Sequence, residues 1–228
     1  MIAHAPPLSP LPPHATLRYV RAPAPLEFPE EAEVSETQLH LDLRTLIYHL
    51  LWDYLGEAAT VGSDQFVYWA ADDPRQKLAP DAYAKLSPRG APIRSWKTWE
   101  RGAPDVAVEI VSDSDSDETP WEEKLAWYHR VGVRELVRFD PVDRARERLR
   151  IWDRVEGDLV ERTVERGLAR SLVLAATWVV APAEGYESAL RIARDGEGVE
   201  LVATRTEARE AAERRIAALE AELLRRGG

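Results

Sequence analysis

The sequence predicts an α/β fold: a mixed β-sheet flanked by helices, with a helical tail at the C-terminus. Three observations predict it. Residues 104–112 (PDVAVEIVS) are apolar and largely β-branched apart from Asp105 and Glu109, as in a strand covered on both faces. A second apolar run follows at 134–139 (RELVRF), and between them Thr119, Pro120 and Glu122 open a helix that Gly132 closes. Strand, helix and strand in about 35 residues make a crossover unit with two parallel strands. Upstream, Leu39, Leu43, Leu46, Ile47, Leu50 and Tyr54 recur with helical period.

The remaining elements fall into place around these. Residues 1–29 hold eight of the 16 prolines, so residues 1–33 are expected to be an extended arm, with His4 and His14 as solvated side chains. Ser35 and Gln38 form a capping-box pattern, and Val34 can staple onto Leu39. Gly56 ends that first helix. A strand is expected at 64–70, a short extended piece at 77–83, and a loop with Trp96 and Trp99 at 85–102. After the polar loop 113–119 and the crossover, Asp140-Pro141 turns the chain into a strand-rich region that runs to about Val180. The spacing predicts a core domain over 34–182, a linker or short hairpin over 183–203 and a helix over 204–228. In that helix Ala212, Ile216, Leu219 and Leu223 form a short heptad-like stripe.

Composition narrows the class. A chain of 228 residues fits one domain with appendages. With no cysteine, disulfides, thiol catalysis and thiolate metal sites are excluded. Hydrophobic residues at 45% and charged ones at 31% are ordinary for a soluble globular protein. No apolar stretch is long enough for a membrane helix, and no basic segment leads into an apolar run, so no membrane association and a cytoplasmic location are expected. The net charge of −10, from 30 Lys and Arg against 40 Asp and Glu, argues against non-specific coating of nucleic acid. A nuclease with a local basic groove is still permitted.

Several charged residues stand in unusual positions. Asp105 and Glu109, four apart on a strand, share a face. Glu109 falls within an apolar, buried run, so it needs a cation, an arginine or strong hydrogen bonds. Lys124 lies at the edge of the apolar face of the crossover helix, beside Trp121, Leu125 and Tyr128. It either reaches back to Glu109 or snorkels with its stem on Trp121. Asp81, after Pro80, is a turn residue or a third member of the group. Acidic groups and a lysine converging on a sheet suit hydrolysis of a phosphodiester with Mg²⁺ or Mn²⁺. A carbohydrate hydrolase is disfavoured, because Asp105 and Glu109 would stand about 13 Å apart from strand rise alone. Arg144, Arg146, Arg148 and Arg150 alternate; on a strand they either contact DNA phosphates or protect an exposed edge. The eight tryptophans read as core and groove walls, with Trp96 and Trp99 available for stacking.

The run PDVAVEIVS, a polar loop, then EEKLAWYHRVGVRELVRFDP resembles the Uma-two family of restriction-endonuclease-like proteins, within the PD-(D/E)XK nuclease superfamily. The resemblance extends from about His40 to Trp152 and is most specific over 104–141. It implies a restriction-endonuclease-like core and a Mg²⁺-dependent (or Mn²⁺-dependent) endonuclease acting on DNA. It implies that Asp81 and Glu109 bind the metal, together with the main-chain carbonyl of Ile110, and that Asp105 and His40 are auxiliary. Val111 stands where the superfamily usually has its lysine, and Lys124 matches the position on the next helix to which this family's lysine has moved. Two departures are the acidic DSDSDET after Ser112 and ELVRF where an aromatic pair is usual. The alternative is a catalytically weak module that keeps the nuclease fold to bind DNA or a partner. A homodimer through the tail helix or the core is compatible with either.

Overall fold

The computed structural model describes Leu26 and residues 37–112, 120–142 and 148–226. The proline-rich arm apart from Leu26, Ser35, the acidic loop with Thr119, and Arg144 and Arg146 lie outside the described residues.

Helix α1 (Gln38–Leu55) buries Leu43, Leu46, Ile47, Leu50 and Leu51, the stripe its periodicity predicts. Its cap is Thr37, not Ser35: the Thr37 hydroxyl accepts from the His40 N–H at 3.3 Å. Thr37 has the extended backbone that a cap residue takes. Strand β1 (Thr60–Gly62) follows. The strand expected at 64–70 shrinks to β2 (Val67–Tyr68), because Asp64 adopts a left-handed conformation with φ 53°. The piece at 77–83 divides at Pro80 into β3 (Lys77–Leu78) and β4 (Ala82–Lys85), which join different sheets. The expected loop 85–102 contains β5 (Trp96–Lys97) and the single turn α2 (Thr98–Arg101). Trp96 is 2% exposed and its indole N–H donates to Gly102 O, so it is a core residue and not a stacking platform.

The crossover forms as predicted. Strand β6 (Val106–Ile110) is buried along its whole length, α3 (Trp121–Val131) follows, and β7 (Glu135–Phe139) returns parallel to β6. The helix starts one residue later than expected, with Pro120 outside it as the cap residue. Gly132 takes the left-handed conformation, φ 89°, and its N–H donates to Tyr128 O at 3.1 Å. Strands β8 (Leu149–Val155) and β9 (Asp158–Arg162) complete a six-stranded mixed sheet in the order β1-β4-β6-β7-β8-β9. Its β6–β7 pair is parallel and its other pairs are antiparallel.

Of the two readings of residues 183–203, linker or short hairpin, the hairpin is the one that forms, and it belongs to the second sheet. Strand β12 (Tyr186–Ala193) pairs with β11 (Thr177–Ala183), and β10 (Leu168–Arg170) completes a three-stranded sheet. Trp178, Leu190, Ile192 and Val202 from this region pack with α1 and with Val106, Val108 and Ile110 on one face of the main sheet. On the other face α3 and the small β3-β2-β5 sheet enclose Ala107, Tyr83, Trp96 and Trp152. Successive β6 side chains therefore enter different cores, as the period of a strand requires.

At the far end of the main sheet Glu135 is fully buried. It accepts from Trp178 Nε1 and Ser171 Oγ, both at 2.7 Å, from the Leu172 N–H at 2.9 Å and from Arg162 at 3.2 Å. This ties β7 to the second sheet. Burial raises the Glu135 carboxyl above the ordinary glutamate value of 4.5, against the lowering effect of Trp178, Ser171, the Leu172 amide and Arg162. Burial also raises neighbouring Asp153. A carboxyl with a raised folded pKa holds its proton more tightly in the folded state. Its contribution to stability is complete below the unfolded value and is lost as pH rises through the folded value. Urea unfolding of wild type and Glu135→Gln, compared from about pH 4 to about pH 7, should show a wild-type advantage that shrinks as pH rises. A difference that grows with pH would contradict it.

The tail is helix α4 (Arg205–Arg226), opened by a reciprocal cap: the Thr204 N–H donates to Glu207 at 2.8 Å and the Glu207 N–H to Thr204 Oγ1 at 3.1 Å. Arg191, 1% exposed, grips Glu207 from below, and Arg205 pairs with Asp53 of α1. No helix among the described residues is long and apolar enough to cross a membrane.

Candidate active site

The site stands at the C-terminal end of β6. The alternation that sends Val108 and Ile110 toward α1 sends Ala107 and Glu109 toward α3. Glu109 is 7% exposed, and α3 supplies its partners. Tyr128 Oη donates to Glu109 Oε1. One turn earlier on the same helix face, Lys124 Nζ lies 3.2 Å from Glu109 Oε2. Both carboxylate oxygens are thus occupied, one by a neutral donor and one by a cation, which offsets the cost of burial.

Asp81 approaches from the turn before β4. The register Ala82↔Val108, carried one residue further, sets Asp81 opposite Glu109 across the antiparallel pair. Its Oδ2 accepts the Ile110 N–H at 2.6 Å. Its backbone is held by Ser63, which donates to Asp81 O at 2.6 Å, and by the Asp64 N–H on Pro80 O. His40, in the first turn of α1, reaches both strands: its Nε2 lies 3.1 Å from Ile110 O and 3.1 Å from Asp81 Oδ1. Ile110 O can only accept, so Nε2 carries the proton in this arrangement. A shallow crevice opens beside these groups, lined by His40, Val111, Ser112, Pro141 and Val142.

The chain that builds this site matches a known family. A family model, Uma2, described as "Putative restriction endonuclease", matches residues 29–183. The chain belongs to the Uma2 family. Among solved structures it is similar to a protein described as "a putative nuclease belonging to DUF820 from Anabaena variabilis ATCC 29413", at 12% identity and a TM-score of 0.45, over 67% of this chain and 75% of that one. No curated protein matches.

Of the residues singled out in this Uma2 sequence, the structure gathers Asp81, Glu109, Ile110, Lys124 and His40 at one end of β6. Asp105 is elsewhere, at the other end of that strand. It accepts from the Leu86 N–H at 2.7 Å and lies 3.3 Å from Lys85 and 3.5 Å from Arg134, so it ties β4 to the start of β7. Of the arginine row, Arg144 and Arg146 lie outside the described residues, and β8, which begins at Leu149 between β7 and β9, is not an edge strand. Arg148 donates to Ser188, and Arg150 grips Glu161 through two 2.8 Å contacts. Tyr128 is the member that the sequence pattern registers only as packing; its spacing of four from Lys124 is the signal that it faces the same carboxylate.

The donor set is consistent with a divalent cation. Asp81, Glu109 and Ile110 O are hard oxygens, the ligands that Mg²⁺ and Mn²⁺ take. The polar hydrogen of His40 already bridges Asp81 Oδ1 and Ile110 O, so these two oxygens face a common point that attracts positive charge. Among the described residues no group of three or more His, Asp or Glu side chains has metal-ligand spacing. Two carboxylates and a carbonyl leave coordination positions to water and to phosphate oxygens, which is how Mg²⁺ is usually bound at phosphate-processing sites.

Proposed function

We propose that this protein is a Mg²⁺- or Mn²⁺-dependent endonuclease that hydrolyses phosphodiester bonds of DNA, with a cytoplasmic location. The observation that carries the reading is the approach of Lys124 to Glu109, 3.2 Å apart, at the strand end where Asp81 and Ile110 O also converge. In this reading Asp81, Glu109 and Ile110 O hold the ion, which supplies Lewis-acid polarisation of the scissile phosphate. Tyr128 holds the Glu109 carboxylate in one rotamer, so that little reorganisation is needed when substrate arrives. His40 orients Asp81 and the Ile110 carbonyl. Lys124 is tethered to Glu109 in the free protein and turns its ammonium to the negative charge that develops on the phosphate.

A second reading is a non-cleaving module that keeps the fold to bind DNA or a partner. The net charge of −10 and the commitment of Arg148 and Arg150 to protein partners favour it. Incubation of supercoiled and linear DNA with the full chain separates the two. The endonuclease reading expects nicking with Mg²⁺ or Mn²⁺, none in EDTA, and none by Asp81→Asn. Intact DNA under every metal condition would favour the binding module.

A further inference from the structure

Helix α4 carries an apolar seam with no partner among the described residues. No residue of its 22 is buried, although Ile216 is 56%, Leu219 44% and Leu223 69% exposed. Its contacts to the body are at its base, through Arg191–Glu207 and Arg205–Asp53. Farther along, its ion pairs are internal to the helix: Arg209–Glu213, Glu210–Arg214 and Glu222–Arg226. A helix of this length extends for about 33 Å, and one so exposed is marginal in water unless its apolar face is covered.

We propose that α4 pairs with α4 of a second copy of this chain as a parallel two-stranded coiled coil. The spacing of Ala212, Ile216, Leu219 and Leu223 assigns Ile216 and Leu223 to a positions and Ala212 and Leu219 to d positions. A β-branched residue at a and leucine at d favour two parallel strands. The flanking charges complement one another in that orientation. Arg215 at g meets Glu220 at e of the partner helix, twice by symmetry, and Ala208 leaves Glu213 unopposed. An antiparallel pair over the same seam would set Glu213 against Glu220 twice, cancelling what Arg215 gains against Glu222. The two arginines that bracket the seam, Arg209 at a and Arg226 at d, each have an acid on their own helix, which moderates their repulsion across the axis. A parallel pair holds the two cores side by side at one end of the coil. The inference does not depend on the nuclease reading.

Sedimentation equilibrium of the full chain from about 1 to about 200 µM tests it. The mass should rise with concentration toward twice the 25.7 kDa of one chain. Leu219→Glu should remain at the mass of one chain throughout, with the melting curve that wild type shows at its lowest concentration, because this side chain is outside the core. Orientation has its own tests. Glu220→Arg should weaken association about tenfold, since it sets arginine against Arg215, and Arg215→Glu in the same protein should restore it. Arg226→Cys, in a chain with no native cysteine, should give a disulfide-linked dimer on mild oxidation. A wild type that stays at the mass of one chain, or a Leu219→Glu protein that dimerises as well as wild type, overturns the proposal. Tighter association of Glu220→Arg, or failure of Arg226→Cys to cross-link while the protein is dimeric, overturns the parallel arrangement.

Discussion

Lys124→Ala is expected to lower DNA cleavage by about 10² to 10³-fold, the usual scale for removing one preorganised group that stabilises developing charge. Its effect on stability should be smaller. The lysine side chain is 19% exposed, and its carboxylate partner keeps the bond from Tyr128. Loss of this partly buried, charge-assisted bond costs about 1–3 kcal/mol, which leaves the domain folded. Activity and stability should therefore separate, which a packing role would not produce. Lys124→Arg should restore little, because the planar guanidinium of arginine directs its charge differently from a compact ammonium. Cleavage at the wild-type rate by Lys124→Ala, in the presence of Mg²⁺ or Mn²⁺, would reduce the lysine to a counter-ion for a buried glutamate.

Glu135→Ala should have the largest effect on folding of any single change away from the site. Glu135 is wholly buried and receives four donors, from Trp178, Ser171, the Leu172 amide and Arg162. Truncation leaves the buried indole N–H of Trp178 and the Ser171 hydroxyl without their acceptor, while Arg162 keeps Asp153 and Arg170 O, and it removes the tie between β7 and the second sheet. A loss of about 3–5 kcal/mol in urea unfolding is expected, the range for breaking a buried charged network from one side. Glu135→Gln, which keeps the volume and one acceptor oxygen, should cost less. A loss below about 1 kcal/mol for the alanine variant would mean that Trp178 and Ser171 find other partners.

The legibility of the sequence follows the range of the forces involved. The β6–α3–β7 unit is readable because burial on both faces leaves nearly unbroken apolar strands, and because Pro120 and Gly132 punctuate the helix locally. The two-residue strands β2, β3 and β5 have no such pattern; tertiary packing around Trp96 and Tyr83 makes them. For β12 the sequence leaves linker and short hairpin open, because YESALRIA mixes polar and apolar residues and only its pairing with β11 buries the apolar ones. At the site, Lys124 was visible as a charge on an apolar helix face and Glu109 as a charge in an apolar strand. The bond from Tyr128 was not visible, since a tyrosine on a buried face fits packing equally well. The partners of Arg148 and Arg150, Ser188 and Glu161, are 40 and 11 residues away in sequence, so alternation alone suggested an open basic face. Nothing local marks Glu135, because its four donors come from residues 162–178, on elements that meet it only in the fold.

The central claim is that Asp81, Glu109 and Ile110 O form one divalent-cation site at the end of β6. Calorimetric titration of Mn²⁺ into the full chain, wild type against Glu109→Ala, tests it most directly. With Glu109 proposed as a ligand, the account predicts one ion bound per wild-type chain and at least a tenfold loss of affinity in the variant, with circular dichroism showing both proteins folded. Equal binding by the two proteins, or no binding by the wild type, would contradict it.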